Sequence, residues 1–338
     1  MATRLLWIGP TCSFSFCGRH SSLRAEDVAN GDAVTGVERR LASKSARAID
    51  AEYPLESQDP WSVCARLATE HYENFTIGSL LLPKRLRRHF WSVYAYCRTV
   101  DDLGDEAEGD RLRLLDAWEE ELDACFSGSP RHPVTIALME TVSLFAIPKE
   151  PFQRLIEANR IDQQRREYQT FEQLLEYCSL SANPVGRIVL RLVGCSDPRA
   201  PELSDAVCTG LQLANFWQDV ARDFEKGRIY LPQDDMKRFG YDPKLLETRT
   251  CDAAFRALMK FEVERAAAYF DRGEALIGLI PGRFRIDISL FGMGGRAILD
   301  QIKRQNFDVL TNRPTVSDGL KARLLLKAIW AHGPWRRR

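Results

Sequence analysis

The stretch LQLANFWQDVARD, residues 211–223, is the strongest indication of the fold in the sequence, because it places polar side chains at helical spacing within an apolar segment. Its polar residues follow one another at steps of three, four and four, and so share one face of a helix: Gln212, Asn215, Asp219 and Asp223. The positions between them are mostly apolar, which predicts a helix buried over much of its circumference. A buried polar stripe needs partners, either a metal-bound phosphate group or a hydrogen-bond network with basic side chains.

Two residues just downstream favour a phosphate ligand for this stripe. Arg228 and Tyr230 follow the second aspartate closely and precede Leu231-Pro232. An arginine binds phosphate oxygens through two parallel hydrogen bonds, and a tyrosine hydroxyl adds a further donor. We therefore expect both side chains to lie beside the carboxylates.

Another acidic stripe, the first of the two in chain order, lies in the segment YAYCRTVDDLGD, residues 94–105, so the stripe in residues 211–223 is the second. Helical spacing predicts that one face carries an aromatic, a cation and two carboxylates: Tyr94, Arg98, Asp101 or Asp102, and Asp105. Carboxylates one turn apart repel each other, and Mg²⁺ removes that repulsion while also binding phosphate oxygens. A solvated acidic helix end is the alternative, and Glu106 and Glu108, which continue the acidity, fit it. Two inward-facing carboxylate pairs in one domain favour the metal.

Composition excludes several classes of protein. The chain has 338 residues, 47 basic and 47 acidic, so no net charge attracts nucleic acid. Hydrophobic residues make up 45 %, enough for one substantial core. Nine scattered cysteines without a Cys-x-x-Cys pair predict reduced thiols in a cytosolic compartment and no structural zinc site.

From Asp59 onward, apolar residues recur every three or four positions, and no alternating run indicates a sheet. The predicted helices cover residues 61–75, 84–106, 110–127, 132–145, 150–162, 170–181, 184–194, 202–225, 250–277, 284–308 and 317–331. Prolines separate most of them. We expect a single all-α domain over residues 59–332, with about ten helices.

Both ends of the chain differ from this domain. Residues 1–58 are rich in Ser, Gly, Ala and Arg and lack apolar periodicity. A disordered or processed extension, a start assigned too far upstream, and an organelle transit peptide all fit this composition. Residues 333–338 form a basic tail with Trp335, which fits either a solvated end or contact with an anionic membrane surface.

The two stripes resemble the squalene/phytoene synthase family of head-to-head isoprenoid synthases. The resemblance covers roughly residues 62–312, and its most specific part is the Gln212 to Asp223 pattern followed by Arg228 and Tyr230. It implies the all-α isoprenoid synthase fold with a central active-site cavity, in which Asp-rich motifs hold two or three Mg²⁺ ions that bind a prenyl diphosphate.

Carried over residue by residue, the resemblance implies specific roles. The implied metal ligands are Asp101, Asp105, Asn215, Asp219 and Asp223, and the four aspartates are also catalytic, together with Tyr94 and Arg98. The implied contacts to the substrate are Phe75, Arg98, Gln212, Asn215, Arg228 and Tyr230, with Phe75 beside the prenyl chain. Trp217 is a plausible cation-stabilising aromatic, but its position favours the core.

Within the family, the sequence is most similar to the bacterial hydroxysqualene synthases of hopanoid synthesis. Residues 73–75, 181–187 and 213–219 carry this finer resemblance. It implies conversion of presqualene diphosphate and water to hydroxysqualene and diphosphate, without a nicotinamide. Because the implied substrate and product are lipids, peripheral contact with a membrane and transfer of product to other enzymes of the squalene pathway are also expected. The alternatives are a squalene, presqualene diphosphate or phytoene synthase, and a non-catalytic assembly factor of the same fold.

Overall fold

The computed structural model describes residues 59–70 and 82–333, and these residues form helices joined by short connections. In chain order the helices are α1 (Pro60–Glu70), α2 (Lys84–Asp105), α3 (Arg111–Ser127), α4 (Pro133–Phe145), α5 (Glu150–Gln164), α6 (Phe171–Ser181), α7 (Asn183–Val193), α8 (Ala200–Glu225), α9 (Gln233–Arg238), α10 (Ala253–Gly273), α11 (Leu276–Leu279), α12 (Arg285–Arg304) and α13 (Asp318–His332). Turns of 3₁₀ helix lie at Pro243–Leu246 and Gly282–Phe284. Within the described ranges, extended pairing is limited to one parallel bridge between Glu167 and Ile229.

The prediction of an all-α fold is confirmed, and the helix bounds differ where local backbone chemistry intervenes. The predicted helix 284–308 ends at Arg304, because Asn306 and Phe307 adopt left-handed backbone angles, with φ of 52° and 62°. The predicted helix 250–277 begins only at Ala253, where the Asp252 side chain accepts a hydrogen bond from the backbone of Phe255. The six-residue α9 is too short for periodicity to reveal it.

Some predictions fall outside the described residues. These are the N-terminal extension 1–58, the end of the first predicted helix, the expected prenyl contact Phe75, and tail residues 334–338. They stay predictions.

Helix α8 is the centre of the fold and carries the second acidic stripe. It packs against α7, α10, α12 and α6, and its apolar residues Leu213, Phe216 and Trp217 are buried among them. Burial removes apolar surface from water, the main favourable term in folding. Trp217 is fully enclosed, in agreement with the core role that its sequence position favours.

Two hydrophobic clusters divide the interior. One gathers side chains of α1 to α5 and α7, and the other gathers side chains of α6, α8, α10 and α12. The buried apolar side chains of α2, such as Tyr94 and Val100, lie in the first cluster, whereas most of those of α8, such as Leu213 and Val220, lie in the second.

The described residues include seven of the nine cysteines. All seven of them are unpaired, and five are buried. A separate observation concerns the membrane: across residues 59–70 and 82–333, no helix is both long and apolar enough to cross one.

Candidate active site

Asp101 on α2 points into the protein and is almost fully buried. Asn159 on α5 donates a hydrogen bond from Nδ2 to its Oδ1 over 3.4 Å. The helices approach closely because Gly104 has no side chain: a β-carbon there would lie 2.3 Å from Oδ1 of Asn159. The sequence did not distinguish Asp101 from Asp102 as the inward-facing aspartate of α2, and the structure shows that it is Asp101.

Asp102 faces a different direction from Asp101. Its carboxylate forms an ion pair with Arg98 one turn earlier, and the same guanidinium lies 3.1 Å from Glu106. The predicted phosphate contact Arg98 is thus held by acids of its own helix. These two carboxylates keep its side chain at the C-terminal end of α2.

Asp105 connects the first stripe to the second. The guanidinium of Arg228 donates a hydrogen bond to its Oδ1 over 2.6 Å, and both side chains are largely buried. The backbone N–H of Arg228 donates to the carbonyl of Asp223 over 2.8 Å. Burial alone would raise the pKa of Asp105, but nearby positive charge, including Arg228, holds it well below its ordinary value. Asp105 is therefore an anion at neutral pH.

The second stripe lies on the buried side of α8, as the spacing predicts. Gln212, Asp219 and Asp223 are buried, and Asn215 is partly so. Asp219 interrupts the helix, with φ of −108° and ψ of 15°. Arg313 approaches it with two nitrogens, Nε at 2.6 Å from Oδ1 and Nη2 at 3.1 Å from Oδ2.

Two amide groups on this face have polar atoms without a hydrogen-bond partner. They are Oε1 of Gln212 and Nδ2 of Asn215, both screened from solvent. An unsatisfied buried amide costs free energy unless a ligand completes it. The stripe is therefore built to receive a polar group.

Asp162 on α5 is a site residue that sequence analysis missed. Tyr177 donates its hydroxyl proton to Oδ2 of Asp162 over 2.7 Å, and the hydroxyl of Tyr230 lies 3.4 Å from Oδ1. Burial raises the pKa of Asp162 to about 6, while Arg228 and the Tyr177 hydrogen bond oppose that rise. The surrounding segment is rich in Arg and Gln, so the sequence makes Asp162 resemble part of a solvated helix end.

The predicted phosphate contact Tyr230 lies in an aromatic cluster. Its ring stacks on Phe216 with centroids 4.0 Å apart and is also close to Tyr168 and Tyr177. The structure therefore directs the Tyr230 hydroxyl toward Asp162. Tyr94, the predicted aromatic of α2, is buried at the core side of the same helix face as Asp101.

Arg313 and Asn159 were also missed. Arg313 lies in the connection between α12 and α13, where no periodic pattern marks a functional residue. Its position is fixed from the other side, because Gln218 donates a hydrogen bond to the carbonyl of Pro314 over 2.6 Å. Only the folded chain brings this loop to Asp219.

An apolar cavity of about 50 Å³ continues the polar face of α8 toward its N-terminal end. Ser204, Cys208 and Leu211 line it and, at steps of four and three, lead along the helix toward Asn215 and Asp219. Side chains of α7, α11 and α12 complete the wall: Val185, Val189, Leu190, Leu276, Ile288 and Phe291. A polar end and an apolar end thus lie along one helix.

The donor set suits a hard divalent cation. Carboxylate and amide oxygens are the protein ligands that Mg²⁺ prefers, and the two stripes supply both kinds. In the described parts of the chain, no three acidic, His or Cys side chains converge closely enough to hold an ion by themselves. Mg²⁺ usually takes one or two carboxylates and completes its shell with water and phosphate oxygens, so paired carboxylates fit it.

Comparison with known proteins places the chain in a family. The squalene/phytoene synthase family model matches residues 68–319. The phytoene synthase of Arthrospira platensis is 33 % identical over 78 % of this chain and 90 % of its own length. The 15-cis-phytoene synthase of Synechocystis sp. is 34 % identical over 81 % and 85 %.

Solved structures agree with this match. The squalene synthase HpnC from Alicyclobacillus acidocaldarius is 48 % identical, with a TM-score of 0.71 over 73 % of this chain and 94 % of that one. A dehydrosqualene synthase in complex with ligand is 26 % identical, with a TM-score of 0.75 over 84 % and 98 %. The chain therefore belongs to the squalene/phytoene synthase family and is an enzyme of isoprenoid biosynthesis.

Proposed function

We propose that this enzyme is a Mg²⁺-dependent hydroxysqualene synthase, which converts presqualene diphosphate and water to hydroxysqualene and diphosphate. The observation that carries the proposal is the junction of the two acidic stripes at Arg228, together with an apolar cavity nearer the N-terminal end of α8. The 48 % identity to the squalene synthase HpnC supports a role in squalene formation.

The metal ligands in this proposal are the inward carboxylates and one amide. Asp101 and Asp105 belong to α2, whereas Asn215, Asp219 and Asp223 belong to α8. When bound, Mg²⁺ supplies Lewis-acid stabilisation of the departing diphosphate. The unsatisfied amides of Gln212 and Asn215 support a polar ligand at this face.

The arginines bind the diphosphate in this proposal. Arg228 donates to Asp105 of the first stripe and Arg313 donates to Asp219 of the second, and in this proposal both guanidinium groups contact the diphosphate. Arginine binds phosphate oxygens in pairs, and such donors stabilise charge that develops as the bond breaks. Arg98 is a further donor in this proposal, although Asp102 and Glu106 pair with it in the structure. The Tyr230 hydroxyl acts through Asp162, which lies beside Arg228.

The apolar cavity receives prenyl carbon in this proposal. Its wall is mostly apolar, although Ser204 and Cys208 also line it, and such a wall keeps water from a carbocation while the carbon skeleton rearranges. Aromatic faces stabilise a nearby cation by roughly 0.5–2 kcal/mol each, and Tyr94 and Phe75 are the expected contributors. Water then forms the new C–O bond and loses one proton, which yields the alcohol.

A second candidate is condensation of two prenyl diphosphates. It is favoured by the relatives of 33 % and 34 % identity, which are phytoene synthases. The same carboxylates and arginines would serve that reaction, because it also begins with loss of diphosphate. Product identity, and not site geometry, separates the two.

Product analysis tests the proposal directly. The purified protein is incubated with Mg²⁺ and either presqualene, farnesyl or geranylgeranyl diphosphate, with and without a reduced nicotinamide, and the lipid is identified by mass spectrometry. We expect hydroxysqualene from presqualene diphosphate without the nicotinamide. Squalene formed only with the nicotinamide, or phytoene from geranylgeranyl diphosphate alone, would overturn it.

A further inference from the structure

Helix α13 exposes an unusual amount of apolar surface. Leu326 and Trp330 are each 66 % exposed, the largest values among the exposed large hydrophobic residues of the described chain. They lie four positions apart and so share one face of the helix. Isolated exposed apolar residues need no explanation, but two of the most exposed ones on one helix face form a patch.

Basic side chains flank this patch. Arg323 and Lys327 are exposed and lie within one turn of Leu326, and neither forms an ion pair with a described residue. No acidic residue follows Asp318, whereas three arginines end the sequence at positions 336–338. The C-terminal part of the chain is therefore purely cationic.

The opposite side of α13 is attached to the protein. Leu320 and Leu324 pack against the cluster that contains α8 and α12, and Ala328 is buried. The helix begins five residues after Arg313, whose guanidinium binds Asp219 of the candidate active site. The exposed patch therefore lies on a helix whose N-terminal end closely follows a residue of this site.

We propose that the face of α13 formed by Arg323, Leu326, Lys327 and Trp330 docks the enzyme on an anionic lipid bilayer. Leucine and tryptophan enter the boundary between headgroups and acyl chains, while the flanking cations bind anionic headgroups. The helix lies along the surface, because none of the described helices is suited to span a bilayer.

The positive charge of this face favours an anionic bilayer over a second copy of the chain as its binding partner. A twofold contact through this face would bring Arg323 and Lys327 of two copies together, and like charges across an interface oppose association. An anionic bilayer complements the same charges. The proposal rests on the proposed function only in that the substrate and product are lipids.

Vesicle binding of the full chain tests the docking face. The protein is sedimented with vesicles of phosphatidylcholine alone or mixed with phosphatidylglycerol, at low and at moderate salt. We expect binding to the anionic vesicles, weakened by salt. In the double variant Leu326→Ser/Trp330→Ser, the affinity for anionic vesicles should fall by about tenfold or more. Its matched control is Leu144→Ser, a leucine 63 % exposed at the end of α4, which should bind like the unmodified protein.

A second variant tests the charges. Arg323→Gln/Lys327→Gln should weaken binding by roughly fivefold for each charge and flatten the salt dependence. Arg131→Gln, which removes an exposed cation elsewhere, is its control. Equal binding by all variants, absence of binding to anionic vesicles, or a concentration-dependent dimer that requires Trp330 would each overturn the proposal.

Turnover separates this proposal from the proposed function. With a detergent-solubilised prenyl diphosphate, the α13 variants should react at the rate of the unmodified protein. With the substrate embedded in anionic vesicles, they should react more slowly. Loss of activity in the detergent assay would show that α13 acts on the catalytic site itself, and this result also contradicts docking as its role.

Discussion

Arg228 donates a hydrogen bond to Asp105 over 2.6 Å, and this ion pair joins the two acidic stripes although its partners are 123 positions apart. Both side chains are largely buried, so each charge depends on the other for its stabilisation. Burial lowers the pKa of the Arg228 guanidinium, but Tyr230, Asp162 and Asp105 together raise it above its ordinary value. The cation is therefore fixed at the junction.

The first prediction concerns this pair. Arg228→Gln should lower the free energy of unfolding by about 3–5 kcal/mol, because it leaves a buried carboxylate without its counter-charge. Urea denaturation at neutral pH measures this loss. Arg88→Gln is the control, because Arg88 and Glu140 form a pair of similar length with both side chains 48 % exposed. The control should lose no more than about 1 kcal/mol. Equal losses in the two variants would contradict the assigned importance of burial.

The second prediction concerns the inward carboxylates. Asp219→Asn and Asp101→Asn should each reduce the rate of diphosphate release by about 10³-fold or more, because an amide is a poorer Mg²⁺ ligand than a carboxylate. Circular dichroism should show the helical fold largely retained. Asp205→Asn, on the same helix but paired with the exposed Arg187, should keep full activity. A folded Asp219→Asn protein with unchanged activity would exclude Asp219 as a metal ligand.

Sequence spacing anticipated which faces of α2 and α8 turn inward. The three- and four-residue steps placed Asp101 and Asp219 correctly on buried faces, because helix geometry fixes directions over a few turns. The same spacing left Asp101 and Asp102 undistinguished. Their difference depends on Arg98, which pairs with Asp102, and on the close approach of α5 at Gly104.

Partners supplied from distant segments could not be predicted from the sequence. Asn159, Asp162 and Arg313 reach the stripes from α5 and from the connection before α13. Such contacts depend on how helices pack, and no local pattern encodes that. The predicted role of Tyr230 as a direct phosphate contact stays a prediction, with its hydroxyl near Asp162 in the structure.

The third prediction concerns Gly104. In Gly104→Ala, the added methyl group would displace the Asn159 amide, which is otherwise held by a 3.1 Å hydrogen bond to the Leu155 carbonyl. Asp101 then loses an orienting partner, and such losses cost about 10–100-fold in metal affinity or activity. A titration of activity against Mg²⁺ should show this as a higher half-saturating concentration.

Gly292→Ala is the matched control for this variant. Gly292 also lies within a helix, but a β-carbon there meets no atom within 4 Å. Alanine is the better helix former, so the control should be unchanged or more stable by up to about 1 kcal/mol. If both variants show the same Mg²⁺ dependence, Asn159 does not orient Asp101.

The fourth prediction concerns Asp287 in the first turn of α12, which is only 5 % exposed and has neither carboxylate oxygen in a hydrogen bond. Burial raises its pKa from 3.8 to about 7. The Asp287 carboxyl therefore binds its proton more tightly in the folded protein than in the unfolded chain. Ionising it costs folding stability: this cost is absent at pH values below the pKa in the unfolded chain, grows as pH rises, and is complete above the pKa in the folded protein. Asp287→Asn should thus be more stable than the unmodified protein at pH ~8, by up to about 4 kcal/mol, and nearly equal at pH ~4.

Urea unfolding at both pH values measures the difference. Asp300→Asn is the control, because its carboxylate is 62 % exposed on the same helix, and its stability should change little at either pH. A stability difference independent of pH would mean that Asp287 is not protonated on folding.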